Sequence, residues 1–145
     1  VRELPRQLTA EQLAELFEGH TRLVDELAAL DDPLGRAREV ARALAEEDKK
    51  AVLDAHPAIG AKASSPRSQS EQGTDGDPRV LAELAELNTA YEEKFGFRFV
   101  VFVNRRPRRE IVPILRERLE RSREQELATG VDELVQIAVD RWRSS

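Results

Sequence analysis

FGFRFVVFV, residues 95–103, decides between a helical fold and a mixed one. Phe95, Phe97, Phe99, Val101 and Val103 alternate as the buried face of a β-strand does, in an aromatic and β-branched setting. A strand must satisfy its backbone on a neighbour, and no second segment of the chain reads as one. The segment is therefore expected as an extended or short helical stretch buried in the core, outside any sheet.

Helical periodicity surrounds it. Upstream, Asp77-Pro78 supplies a cap and a first-turn proline ahead of Leu81, Leu84, Asn88, Tyr91 and Phe95, which share one helix face with Val80 and Leu87 adjoining. Earlier starts are marked by the capping box of Thr9 and Gln12, by Thr21, by Asp32-Pro33 and by Asp48. Downstream, Pro107 and Pro113 bracket the start of a helix reaching Leu119. Ser122 and Gln125 form a capping box before the stripe Leu127, Val131, Leu134, Val135, Ala138 and Trp142. The expectation is all-α: a single compact domain over residues 1–145, with about seven to eight helices and a flexible polar loop at about 60–77.

Composition removes several function classes. There is no cysteine, which excludes disulfides, thiolate nucleophiles and cysteine-based zinc sites. The longest apolar runs, FVVFV at 99–103 and IVPIL at 111–115, are far too short to cross a bilayer. VRELPRQLTAEQ at the N-terminus has no apolar signal core, so a cytoplasmic protein without membrane association is expected. The net charge of -5 argues against general nucleic-acid affinity. Residues 98–123 nevertheless hold nine Arg against three Glu, a basic region that either is a solvated face or attracts an anionic ligand.

His56, in LDAHPAIGAK, is the natural general acid or base, with an ordinary pKa near 6.5. Pro57 holds it out of the helical region, so it should lie at or just past a helix end, where bonding to terminal carbonyls is the structural alternative. Ser68, Glu71 and Gln72 lie in the polar loop, where Ser68 could equally cap a short turn. Arg141 borders the stripe of the last helix, as a buried anion clamp or as a stem lying along the core, and its residue type and position favour the stem. No metal site is expected, since His20, His56 and Glu71 lack any recognised ligand spacing, and GTDG is not a phosphate loop.

LFEGH, LDAHPAIGAK, SQSEQ, LNTAYEEKFGFRFVVFV and ILRERLERSREQELATGVDELVQIAVDRWR, in this order, resemble the 2-oxo-4-hydroxy-4-carboxy-5-ureidoimidazoline (OHCU) decarboxylase family. The resemblance spans roughly residues 11–143. It implies an all-helical fold, a cofactor-independent decarboxylation that yields (S)-allantoin in urate degradation, a small anionic purine-derived substrate and a homodimer. It also implies that His56, Glu71 and Arg141 are catalytic. Substrate contacts would come from Pro57, Ser68, Gln72 and the segment Phe99, Val100, Val101, Phe102 and Val103.

The chain departs from the family pattern in places. Arg98 stands where a proline is common, Asn104 replaces a frequently basic position, and GTDGDPRV after Gln72 is shorter and more polar than usual. Two alternatives therefore accompany the decarboxylase: a hydrolase acting on a related ureido or imidazolone ring, and a non-catalytic helical interaction module. The module predicts that His56 and Glu71 are far apart and solvated; the enzyme predicts that both face one concave pocket.

Overall fold

The computed structural model describes residues 2–59 and 77–144. Among them are seven helices: α1 Ala10–Phe17, α2 Arg22–Ala28, α3 Pro33–Ala43, α4 Glu46–Asp54, α5 Pro78–Phe95, α6 Arg108–Leu119 and α7 Arg123–Ser144. No strand occurs among the described residues, as expected. The loop expected at about 60–77 lies outside them up to residue 76.

Local chemistry sets most boundaries. Thr9 Oγ1 accepts from the Gln12 N–H at 3.1 Å while the Gln12 side chain accepts from the Thr9 N–H at 2.9 Å, closing the expected box. Ser122 and Gln125 do the same ahead of α7, and Asp77 accepts from the Arg79 N–H at 2.9 Å. Three starts differ from expectation. Thr21 and Asp32 precede α2 and α3 without a side-chain cap bond. Helix α4 begins at Glu46, so Asp48 joins two glutamates in its first turn, where carboxylates favour the helix dipole.

Helix α7, 22 residues long, is the spine against which α1, α3 and α4 pack. Gly130 makes the α4 contact close: a Cβ there would lie 3.1 Å from Leu53 Cδ2. This approach fixes the end of α4, three residues before His56.

Helix α5 stops at Gly96, whose φ of 81° turns the chain into the segment 97–103. That segment is extended and buried, with Phe97 and Phe99 at 1% exposure and edge-on to Tyr91 at centroid distances of 6.0 and 5.2 Å. Side chains satisfy the backbone that a sheet would have satisfied. The Val100 carbonyl accepts from Arg118 at 2.8 Å, the Phe102 and Val103 carbonyls accept from Arg106 at 2.6 and 2.8 Å, and the Arg98 N–H donates to Asp54 at 3.0 Å. Arginine is thus the substitute for a neighbouring strand.

The basic region 98–123 is therefore divided: Arg118 is buried, Arg98, Arg106, Arg108, Arg121 and Arg123 are half-buried, and Arg105, Arg109 and Arg116 face solvent. Arg118 is 5% exposed and stacks over Phe99, 4.6 Å from its centroid. Its Nε meets Glu126 Oε1 at 2.7 Å, and the same carboxylate, fully buried, accepts from Tyr91 at 2.7 Å and Arg121 at 2.9 Å.

Candidate active site

His56 follows α4 by two residues. Its N–H donates to the Leu53 carbonyl at 3.1 Å, which completes the last turn, and Pro57 then turns the chain away. The side chain is 8% exposed, and Nδ1 is buried without a hydrogen-bond partner among the described residues. Burial lowers its pKa to about 4; the Arg141 charge adds to this, Glu18 opposes it and Arg98 adds again. At neutral pH the ring is therefore neutral, and one nitrogen is available to a proton or a ligand.

Arg141 reaches this region from the far end of α7 and is 3% exposed. Its Nη1 donates to the Leu16 carbonyl at 2.8 Å, and Nη2 lies 3.2 Å from Glu18 Oε1. The guanidinium itself is buried and does not reach out to solvent. Glu18 closes α1 with a φ of 64°, in the left-handed region that a glutamate enters at a cost of roughly 1–2 kcal/mol. Its ion pair with Arg141 and the bond from its N–H to the Ala14 carbonyl hold it there.

Two further residues frame the histidine. Arg98 Nη1 donates to the His56 carbonyl at 2.8 Å and to the Asp54 carbonyl at 3.2 Å. Asn88, 6% exposed on α5, donates from Nδ2 to the Ile59 carbonyl at 3.0 Å, which ties down the chain after Pro57, while its Oδ1 is buried without a partner among the described residues. Glu18, Arg98 and Asn88 were not singled out as site residues from sequence. A polar residue on an otherwise apolar helix face was the available signal for Asn88, and the two charged residues gave none.

The other candidates are placed unevenly. Pro57 is half-buried beside His56. Phe99, Val100, Val101 and Val103 are buried in the core, with the Val100 and Val103 carbonyls already engaged by arginines. Phe102 instead borders a groove of about 440 Å³ between α3 and α7, lined also by Leu34, Arg38, Val135 and Val139. That groove includes neither His56 nor Arg141. Ser68, Glu71 and Gln72 lie outside the described residues. Among the described residues no group of three His, Cys, Asp or Glu could hold a metal ion, and no helix is long and apolar enough to cross a membrane.

The family model for OHCU decarboxylase matches residues 2–143. The chain belongs to the OHCU decarboxylase family. Among its members, the 2-oxo-4-hydroxy-4-carboxy-5-ureidoimidazoline decarboxylase of Mus musculus is 32% identical over 107 residues, 66% of this chain and 59% of that protein. The decarboxylase of the same name from Halalkalicoccus jeotgali is 32% identical over 95 residues, 62% and 54% of the two chains. The chain spans only 22% of the uric acid degradation bifunctional protein of Bacillus sp. (strain TB-90), to which it is 28% identical. In three dimensions it resembles a crystal structure of OHCU decarboxylase in the presence of (S)-allantoin. The TM-score is 0.76 at 25% identity, covering 92% of this chain and 96% of that one.

Proposed function

We propose that this chain, one compact domain, catalyses the cofactor-independent decarboxylation of OHCU to (S)-allantoin, within urate degradation, in the cytoplasm and as a homodimer. The observation that carries the reading is His56: buried, neutral, without a partner at Nδ1 among the described residues and flanked by the charges of Arg141 and Arg98. An interaction module has no reason to desolvate that nitrogen.

The substrate bears its carboxylate on a carbon that also carries a hydroxyl and adjoins an imine carbon. When the C–C bond to CO2 breaks, its electron pair forms a carbon–carbon double bond and the imine pair moves onto nitrogen, which takes a proton. The resulting enol loses its hydroxyl proton as the carbonyl forms, and the former imine carbon gains one. The sum is uptake of one proton and release of CO2, with the electron sink inside the substrate.

The protein must orient the breaking bond, stabilise the developing charge and place the proton on one face. His56 takes the hydroxyl proton. A base with a pKa of about 4 is weak, but a bound carboxylate offsets the two arginines and moves the imidazole back toward the useful range. The fork of Arg141 already holds Leu16 and Glu18, so its hold on the substrate carboxylate is a shared one. This suits the chemistry, because charge leaves that carboxylate in the transition state and a tighter grip would stabilise only the ground state. Glu71 is assigned the proton on the new stereocentre, and Ser68, Gln72 and the main chain of Phe99 to Val103 the ring and ureido contacts, on the strength of the family resemblance.

The test is to generate OHCU in situ from urate with uricase and hydroxyisourate hydrolase and to follow ellipticity. Rapid appearance of one allantoin enantiomer with this protein is expected. A slow, racemic course unchanged by the protein overturns the assignment.

A further inference from the structure

Arg98 binds the His56 segment three times. Its N–H donates to Asp54 Oδ1 at 3.0 Å, and its Nη1 donates to the Asp54 carbonyl at 3.2 Å and to the His56 carbonyl at 2.8 Å. Those two carbonyls belong to the end of α4, where acceptors lack helical partners. The side chain is 30% exposed, and its Nε lies 3.8 Å from Glu92 Oε1, a weak hold that leaves the guanidinium directed at α4. A proline at this position would supply neither the N–H nor the guanidinium.

We infer that Arg98 is a positioning residue for the proposed reaction: it anchors the His56 main chain to the extended core segment and sets one of the charges beside the imidazole. Anchoring matters because His56 has no side-chain hydrogen bond at Nδ1 among the described residues to fix its ring, so its aim depends on its backbone. The charges that face His56 come from three directions: Arg141 on α7, Glu18 at the end of α1 and Arg98 on the extended segment. Arg98 also bonds the main chain of the residue it influences, through the His56 carbonyl.

The kinetic part rests on the decarboxylase reading; the spectroscopic part does not. The chain has two histidines, and His20 is exposed, so the imidazole signals of the full chain separate in an NMR titration. Arg98→Met keeps the apolar stem and removes the charge and side-chain donors. It is expected to raise the His56 midpoint by about half a unit or more, to speed amide exchange at His56, and to lower turnover about tenfold with KM within about twofold. Arg98→Lys restores the midpoint, because it retains a cation in reach of the same carbonyls. Wild-type titration and amide exchange in Arg98→Met overturn the inference, even if the melting temperature falls. If the unaltered chain fails to decarboxylate OHCU, the functional reading fails while the titration and exchange still decide the role of Arg98.

Discussion

Arg141 Nη2 lies 3.2 Å from Glu18 Oε1, which brings opposite charges from near the two ends of the chain to the side of His56. Both side chains are nearly inaccessible, at 1% and 7% exposure, so neither charge is screened as a surface pair would be.

Glu18→Gln tests that pairing. It removes the carboxylate charge paired with Arg141 next to the histidine, and removing one member of a buried pair costs on the order of 3 kcal/mol. Urea unfolding is expected to show the loss, and the His56 titration is expected to move further down, because Glu18 is the group that raises it.

Acid sensitivity follows from the same site. An unfolded histidine titrates near 6.5 and folded His56 at about 4, so between these values the unfolded chain binds the additional proton. The stability contributed by neutral His56 is complete above pH 6.5 and falls as pH drops toward 4, by about 3 kcal/mol in all. Urea midpoints measured between pH 4 and 7 should show this slope in the parent chain and lack it in His56→Asn.

Glu126 is the most demanding residue of the core. Its buried carboxylate answers Arg118, Arg121 and the Tyr91 hydroxyl together. Glu126→Ala is expected to cost about 3–5 kcal/mol, since Arg118 stays buried without its counter-ion. Tyr91→Phe removes one bond to a charged acceptor and should cost about 1.5–3 kcal/mol. Thermal and urea unfolding would check the order; equal effects would contradict the network described.

For Arg141→Ala the expected signature is a raised KM together with slower turnover, since the residue both attracts an anion and braces the end of α1 at the Leu16 carbonyl. Steady-state kinetics on freshly generated OHCU would check it, and unchanged constants would remove Arg141 from the site.

How far the sequence revealed this structure varies with the physics involved. Capping boxes and apolar stripes are local, and Thr9, Asp77 and Ser122 cap as their spacing implies. Residues 97–103 were legible as buried and outside any sheet because no partner strand existed, with extended and short helical forms both open, yet nothing in FGFRFVVFV announces that Arg106 and Arg118 complete its backbone bonds. The basic run from Arg98 to Arg123 looked like either a solvated face or an anion surface for that reason: a linear count of charge does not report burial. His56 stood out through Pro57, whereas Arg98 and Glu18 act on it across 42 and 38 residues of chain, and such separations leave no local pattern.

The most direct measurement compares the parent chain with His56→Ala on OHCU generated in situ, following ellipticity for allantoin and far-ultraviolet circular dichroism for helix content. The account predicts one enantiomer forming rapidly with the parent chain, and in the variant at least about 100-fold slower turnover with helix content retained. Turnover near the parent value in a folded His56→Ala would contradict it.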